Sequence, residues 1–387
     1  MNKINNYVGI QVNLSSLESL YNDKKHYQQL SYLTNNLGDC YEPDACPLPN
    51  TMREEKAAIE LFAQWLGLSS NECWGYIGGG SSIGNLQGMW IGRQLYPDAT
   101  LIFSKDAHYS IYKFASLLGF KKIIIIDTLE TGQIDINDYR EKIKKKENIV
   151  AVFTAGTTMT SAFDPIEECT NIMDEYSCEY YIHLDAALGG ALIPFIDENE
   201  LKQDPRTFSF HNKKISSMTI STHKVLGTPM PGNLFIARKN VIDNFKNHVT
   251  SIPYLSGIKD IMIYGSRDGF RADIVYSRLC SLGNEGLKKI VKDSFDNCDY
   301  LMKSFKSMGI TSAFRAAAGL SIVIPLISLE EKMLPEYLHE IDNKYHLVKN
   351  NVYLHIYVME HVNRKMCEEI VADFTKALKL TQQQTIS

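Results

Sequence analysis

"TISTHKVLGTPMPGN" (residues 219–233) places a lysine after Ser-Thr-His and follows it with two glycines and two prolines. A strand-like run over 216–221 feeds into it and a second, over 233–238, leaves it. Glycine and proline at this density make a stiff turn. Lys224 therefore stands in a rigid turn between two strands, not on a solvated helix face. Such a lysine reads either as a surface residue at a turn or as an amine set in place for chemistry.

Working outward, seven apolar strand-like runs stand out: "GYIGG", "ATLIFS", "KKIIIID", "NIVAVFTAG", "YYIHLDAA", "SSMTIST" and "NLFIARK". Helical spacing of apolar residues marks 53–66, 83–95, 107–118, 135–146 and 166–176. Repeated strand–helix–strand order predicts an α/β fold with a mostly parallel sheet flanked by helices. The last two strands are joined directly, which requires an antiparallel pair. "KKIIIID" is apolar through its middle, as expected of a strand covered on both faces. After about residue 280 the pattern changes to a long helix over 282–308, then "LSIVIPLIS", "NVYLHIYVM" and a helix over 364–378. The expected organisation is an N-terminal arm (1–52), a large domain (53–280) and a small C-terminal α+β domain (281–387).

The 387 residues are 44% hydrophobic and 22% charged, with a net charge of -5. That balance offers no electrostatic reason to expect nucleic acid or an anionic membrane as partner. "REKIKKKEN" (140–148) reads as the polar end of a surface helix. The first twenty residues lack the apolar core of a signal peptide, and no run approaches the roughly 20 apolar residues of a membrane span. The eight cysteines form no C-x-x-C pair, which fits reduced thiols in the cytoplasm and predicts neither a disulfide framework nor a metal site.

In an open α/β sheet, ligands bind at the carboxyl ends of the strands, and four unusual stretches lie there. "GYIGGGSSIGN" (75–85) is a glycine-rich turn before a helix, either a phosphate cradle with Gly80, Ser81 and Ser82 or a plain tight turn. "SKDAHYSIYK" (104–113) sets His108 near a helix start that Asp106 or Ser104 could cap; its ring is structural or stacks on a flat ligand. "YYIHLDAALGG" (180–190) ends a strand on Asp185, a helix cap or a buried carboxylate awaiting a cation, with room beside Ala186 and Ala187. The fourth is the turn of Lys224. A lysine forms a Schiff base only as the free amine, which desolvation favours. One ligand accounts for all four: pyridoxal 5'-phosphate, with a phosphate for the helix start, an aldehyde for the lysine, a ring nitrogen for the carboxylate and a flat ring for the histidine.

Read together, "WGYIGGGSSIGN", "SKDAHYS", "TAGTTMTSAFDPI", "HLDAALGGALIPF", "STHKVLGTPMPGN" and "GSRDG" resemble the pyridoxal-phosphate-dependent group II amino acid decarboxylases, and among these the bacterial histidine decarboxylases. The resemblance runs from about residue 53 to 270. It implies a fold-type I, aspartate aminotransferase-like enzyme, active as a homodimer with sites at the subunit interface, that decarboxylates an L-amino acid, histidine first. Serine, aromatic and small aliphatic amino acids are the alternatives. It implies that Lys224 carries the cofactor, Asp185 pairs with its ring nitrogen, and Ala187 packs on the ring face opposite His108. Ser81, Ser82, Ser221 and His223 would lie at the phosphate and Thr157 at the ring oxygen. Ser266 and Arg267 would reach the neighbouring subunit's cofactor. Tyr254 and Tyr264 are candidate proton donors. The chain departs from the usual Gly-Gly-Thr-Glu-Gly-Asn turn at Ser81, Ser82 and Ile83. Thr222 also replaces a glycine, and Gly232-Asn233 stands where Cys-Gly is frequent. An aminotransferase would instead grip the substrate carboxylate with an arginine, for which Arg315 is the candidate. A homologue that binds the cofactor without turnover is the non-catalytic alternative.

Overall fold

The computed structural model describes residues 6–15, 24–42, 48–253, 257–350 and 352–386. Its centre is a seven-stranded sheet built from β1 (Cys73–Gly78), β2 (Thr100–Ser104), β3 (Lys122–Ile126), β4 (Asn148–Thr154), β5 (Glu179–Asp185), β6 (Ile215–Ser221) and β7 (Asn233–Arg238). The strands lie in the order β1-β7-β6-β5-β4-β2-β3. The pairs β2–β3, β2–β4, β4–β5 and β5–β6 are parallel, whereas β7 runs antiparallel to both β6 and β1. The directly joined pair expected around Lys224 is thus the antiparallel β6–β7.

Successive residues of a strand face opposite sides, and here the two sides build separate apolar layers. Ile149, Ala151 and Phe153 of β4 pack with Ile59 and Phe62 of α1 (Met52–Trp65) and Met173 of α5 (Ile166–Glu175). Val150 and Val152 pack with Met89 of α2 (Ser81–Leu95) and Ile111 of α3 (Tyr109–Leu117). The helix α4 (Ile136–Lys142) is capped by Asp135, whose side chain accepts the Asn137 N–H, and ends four residues short of the expected 146. Ile143 is already extended and Lys146 takes a left-handed φ of 56°.

The expectation that "KKIIIID" is covered on both faces does not hold. β3 is one of the two edge strands of the sheet, and Ile123 and Ile125 are 43% and 40% exposed. With these side chains left uncovered, its apolar run signals β propensity and not two-sided burial.

The helix expected over 282–308 starts earlier, as α6 (Gly269–Ser307), capped by the Asp268 side chain and broken at Gly283, where φ is 58° and ψ -169°. It leads to a three-stranded antiparallel sheet of β8 (Ser321–Pro325), β9 (Val348–Lys349) and β10 (Tyr353–Tyr357), followed by α8 (Arg364–Ile386), with α7 (Pro335–Tyr345) between β8 and β9.

One packing detail positions the site. α2 lies over β5 and β6 with Gly84, Gly88 and Gly92 turned to the sheet, one helical turn apart. A Cβ at Gly88 would stand 2.2 Å from His183 Nδ1, and one at Gly92 would stand 2.8 Å from the Tyr181 ring. Each glycine costs about 1 kcal/mol of helix propensity against alanine, and in return the helix backbone settles directly onto a row of polar side chains. Gly88→Ala should therefore destabilise the protein by about 1–3 kcal/mol through overpacking, read as a lower midpoint in urea unfolding. An unchanged midpoint would show that His183 has room to move.

Candidate active site

The carboxyl ends of β4, β5 and β6 and the start of α2 meet around a cavity of about 280 Å³. Its wall holds Gly80, Ser81, Ser82, His108, Asp185, Ala187, Ser221, His223 and Lys224. These are nine of the ten residues expected at this subunit's own cofactor, brought together from stretches up to 144 residues apart (Gly80 to Lys224).

The helix α2 opens on Gly80, whose φ of 139° suits glycine alone and which offers no side-chain cap. The uncapped N–H groups and the positive dipole end would suit an anion. Gly80 N–H donates to Asn233 Oδ1 (3.1 Å), and Ser81 Oγ pairs with Ser221 Oγ (2.7 Å). The departure at position 233 thus has a physical account: the asparagine at the head of β7 pins the glycine-rich turn. Thr222 likewise accepts a hydrogen bond from the Thr228 hydroxyl (2.8 Å), which folds the lysine turn back on itself.

His108 caps α3 itself, in place of the expected Asp106 or Ser104. Its Nδ1 accepts the Ser110 N–H at 3.3 Å, which leaves the proton on Nε2. Burial, then the nearby cations, hold its pKa below the ordinary histidine value against the pull of Asp185. Asp185 is 3% exposed. Its carboxylate accepts Asn85 Nδ2–H at 2.7 Å and Ala187 N–H at 3.2 Å. Burial also lowers His223, with Lys224 adding to the effect, and His223 Nδ1 accepts the Gly232 N–H (3.3 Å).

Lys224 keeps some accessible surface because it lines the cavity, yet its amine is enclosed by protein. Burial pushes that amine down to about 8, with Asp185 pulling the other way. Its Nζ donates to Gln11 Oε1 at 2.5 Å, and Gln11 Nε2 in turn donates to Tyr357 Oη (2.5 Å) and the Thr157 carbonyl (3.2 Å). Gln11 belongs to a stretch tied down by β10 and by the loop between β10 and α8. His355 Nε2 meets the Gly9 carbonyl (2.8 Å), His361 Nε2 the Tyr7 carbonyl (2.9 Å), and Asn13 Nδ2 the Glu360 carboxylate (2.7 Å). Asn13 N–H also donates to the His223 carbonyl at 3.1 Å, so this strap braces the lysine turn directly.

One residue expected at this subunit's cofactor lies elsewhere. The Thr157 hydroxyl turns away from the cavity to Thr160 Oγ1 (2.8 Å) and the Ala162 N–H (2.9 Å), while Thr154 and Thr158 line the wall. Ser266 is exposed on a short strand, Ser266–Asp268, paired with Asn35–Leu37. Arg267 is a correction of a different kind. It is locked inside its own chain by a two-pronged contact with Glu55 (3.0 and 2.9 Å), both side chains almost fully buried. Arg315 is bound to Glu200 (3.3 Å) and Asp299 (3.2 Å) and is not in the cavity wall. Of the two candidate donors, Tyr254 lies outside the described residues, and the Tyr264 hydroxyl lies over Gly79, beside the glycine-rich turn.

Residue-type reasoning missed Thr154, Thr158, Asn85 and Gln11. Thr154 could have been found, since it ends β4 directly beside Asp185 of β5. Gln11 carries no local signal at all, being 213 residues from its partner.

The donor set suits pyridoxal phosphate. An uncapped helix start, a buried carboxylate and a lysine with a lowered pKa share one cavity. Thr154 is 4% exposed and belongs to the cavity wall, and its hydroxyl has no hydrogen-bond partner among the described residues. A buried hydroxyl left unpaired calls for a partner, which a bound ligand atom or a water would supply.

Residues 89–328 match the family model of the pyridoxal-dependent decarboxylase conserved domain. The chain belongs to this family. It is a pyridoxal-phosphate-dependent amino acid decarboxylase. Among similar proteins, the histidine decarboxylase of Acinetobacter baumannii (strain ACICU) is 32% identical over 327 residues, 83% of this chain and 82% of that one. Serine decarboxylase 3 of Oryza sativa subsp. japonica is 32% identical over 355 residues, 90% of this chain and 74% of that one. The fold of L-methionine decarboxylase from Streptomyces sp. 590 superposes with a TM-score of 0.79 at 18% identity, over 97% of this chain and 92% of that one.

In this decarboxylase the free amine of Lys224 is what attacks an aldehyde. Capture of pyridoxal phosphate by cofactor-free enzyme should therefore accelerate as pH rises through about 8 and level off above it. Stopped-flow absorbance would read this. A midpoint near the ordinary lysine value of about 10.4 would mean that the amine is not desolvated.

Proposed function

We propose that the enzyme removes the α-carboxylate of L-histidine as carbon dioxide and releases histamine, with Lys224, Asp185 and His108 as its catalytic groups. The convergence of Lys224, Asp185 and the open start of α2 on one cavity supports the reading of the site. The similarity to a histidine decarboxylase over most of both chains supports the choice of substrate. The similar extent of the match to a serine decarboxylase makes serine the first alternative, with aromatic and small aliphatic amino acids behind it.

Bound pyridoxal phosphate supplies an electron sink for the pair left behind when the bond from Cα to the carboxylate breaks. The chain's own groups do the rest. The start of α2, with Ser81, Ser82, Ser221 and His223, would hold the phosphate. Asp185 would pair with the ring nitrogen. His108 and Ala187 would flank the ring. Thr154 and Thr158 offer hydroxyls to its polar edge or to the substrate. Gln11 holds the Lys224 amine in place. The pairing of Arg315 with Glu200 and Asp299 argues against the aminotransferase alternative, which needs a free arginine.

The enzyme as we read it is a homodimer of the cytoplasm. The exposed apolar side chains of Leu30, Tyr32 and Leu33 support the first part. The free thiols of all seven cysteines among the described residues support the second. No helix among those residues is long and apolar enough to cross a membrane. Ser266 of one subunit would then stand near the other's cofactor.

Carbon dioxide released from a panel of the twenty common L-amino acids should be greatest with histidine and absent from Lys224→Ala. Keto-acid formation without carbon dioxide would overturn decarboxylation, and release from serine alone would move the substrate. Asp185→Asn should lower kcat by about 100-fold or more, as loss of a preorganised charge does. Retention of wild-type kcat would remove Asp185 from the mechanism.

A further inference from the structure

Behind Asp185 runs a line of buried polar side chains. Tyr181, His183 and Asp185 alternate along β5 and so share its α2-facing side, and Ser217 is the register partner of His183 on β6. Asn85 comes down from the second turn of α2. Every member is at most 3% exposed.

The direction of each hydrogen bond in this line follows from chemistry. The Asp185 carboxylate can only accept, so Asn85 presents its Nδ2–H to it, at 2.7 Å. Asn85 Oδ1 then faces His183 Nε2 at 3.0 Å. An amide oxygen can only accept, so Nε2 carries a proton. Burial holds the His183 pKa down to about 3, so the ring is neutral and its Nδ1 is bare. Ser217 Oγ, 2.8 Å away, must donate to that nitrogen. The Ser217 oxygen in turn accepts from the Tyr181 hydroxyl at 2.6 Å. All four donors point the same way, toward the carboxylate.

We propose that Tyr181, Ser217, His183 and Asn85 form a one-directional hydrogen-bond array that holds the Asp185 carboxylate aimed into the cavity, with His183 as its central positioning residue. Each donation polarises the next group in a chain of hydrogen bonds. The His183 N–H draws electron density onto the Asn85 carbonyl and makes the Asn85 amide N–H a stronger donor to Asp185. A reversed imidazole tautomer would set a bare nitrogen against the Asn85 oxygen and release the amide to turn its oxygen on the carboxylate. His183 is held against such a change. Phe235 stacks on its ring (6.1 Å between centroids, 21° between planes), and the α2 backbone at Gly88 closes the other approach. The glycines of α2 are thus where they must be for the array to lie under the helix.

The inference rests on the reading of Asp185 given above, and its test separates the two. In cofactor-free protein carrying ¹⁵N-labelled histidine, NMR should show His183 protonated at Nε2 and bare at Nδ1 across the range in which a free histidine titrates, about pH 5 to 8. Ser217→Ala and Tyr181→Phe should stay folded. Each should raise the dissociation constant for pyridoxal phosphate and lower kcat, by about 10-fold, as outer-shell partners of a functional group do, with KM changed less than about twofold. A purely structural role would lower the unfolding temperature and leave the cofactor affinity and kcat alone. An Nδ1-protonated or cationic His183, or wild-type affinity and kcat in both variants, overturns the array. If Asp185→Asn also binds the cofactor normally, the failure lies with Asp185 itself. If Asp185→Asn loses affinity while Ser217→Ala and Tyr181→Phe do not, only the array falls.

Discussion

An amine enclosed by protein must shed its proton or find partners for it. Lys224 meets both conditions halfway. Burial brings it down to about 8 while Asp185 pulls it back up, so near neutrality the proton is loosely held and easily given up. Keeping an amine in that state dictates much of the surrounding structure. Asp185 must stay within electrostatic reach but not so close as to fix the proton. The turn must be stiff, hence its glycines and prolines, and it is braced from outside by Asn13 and by Arg278, whose Nε donates to the Leu226 carbonyl at 2.8 Å. The acceptor for the amine, Gln11, is supplied from the far end of the chain.

A second buried contact serves the same end at a distance. Glu55 of α1 accepts two hydrogen bonds from Arg267, a third from Asn36 Nδ2 (2.8 Å) and a fourth from the Ile77 N–H of β1 (2.8 Å). A carboxylate so fully satisfied holds α1, β1 and the segment leading into α6 together. Removing one partner of such a buried pair typically costs about 3–5 kcal/mol. The glycine-rich turn begins just after Ile77, so this knot also sets the direction in which the phosphate end of the cavity opens.

Much of this was legible in the residues because the α/β pattern and the rule of strand ends are local. Seven strand-like runs became the seven strands, and the glycine-rich turn, His108, Asp185 and the lysine turn arrived at one cavity. The misreadings have physical causes. Thr157 and Thr158 are adjacent and chemically alike, and only the backbone decides which hydroxyl faces the ligand. "KKIIIID" looks the same whether a strand is central or at the edge, since the difference lies in the neighbours it acquires. Arg267 sits beside an exposed Ser266, and nothing in "GSRDG" says that its charge is spent on Glu55. Gln11 was invisible because its role comes from where the strap is anchored, and the anchors, His355, His361 and Glu360, lie beyond residue 350.

That anchoring has a consequence for how the enzyme comes into being. Residues 7–13 are made long before the groups that fasten them, with 346 positions separating Gly9 from His355. Until His355 and His361 have emerged from the exit tunnel, the strap has no seat, and Lys224 lacks the partner that steadies its amine. A nascent chain can complete the whole seven-stranded sheet and still lack a finished catalytic lysine. Assembly of the site thus waits for residues 355–361, and a chain interrupted before them carries an amine without its partner.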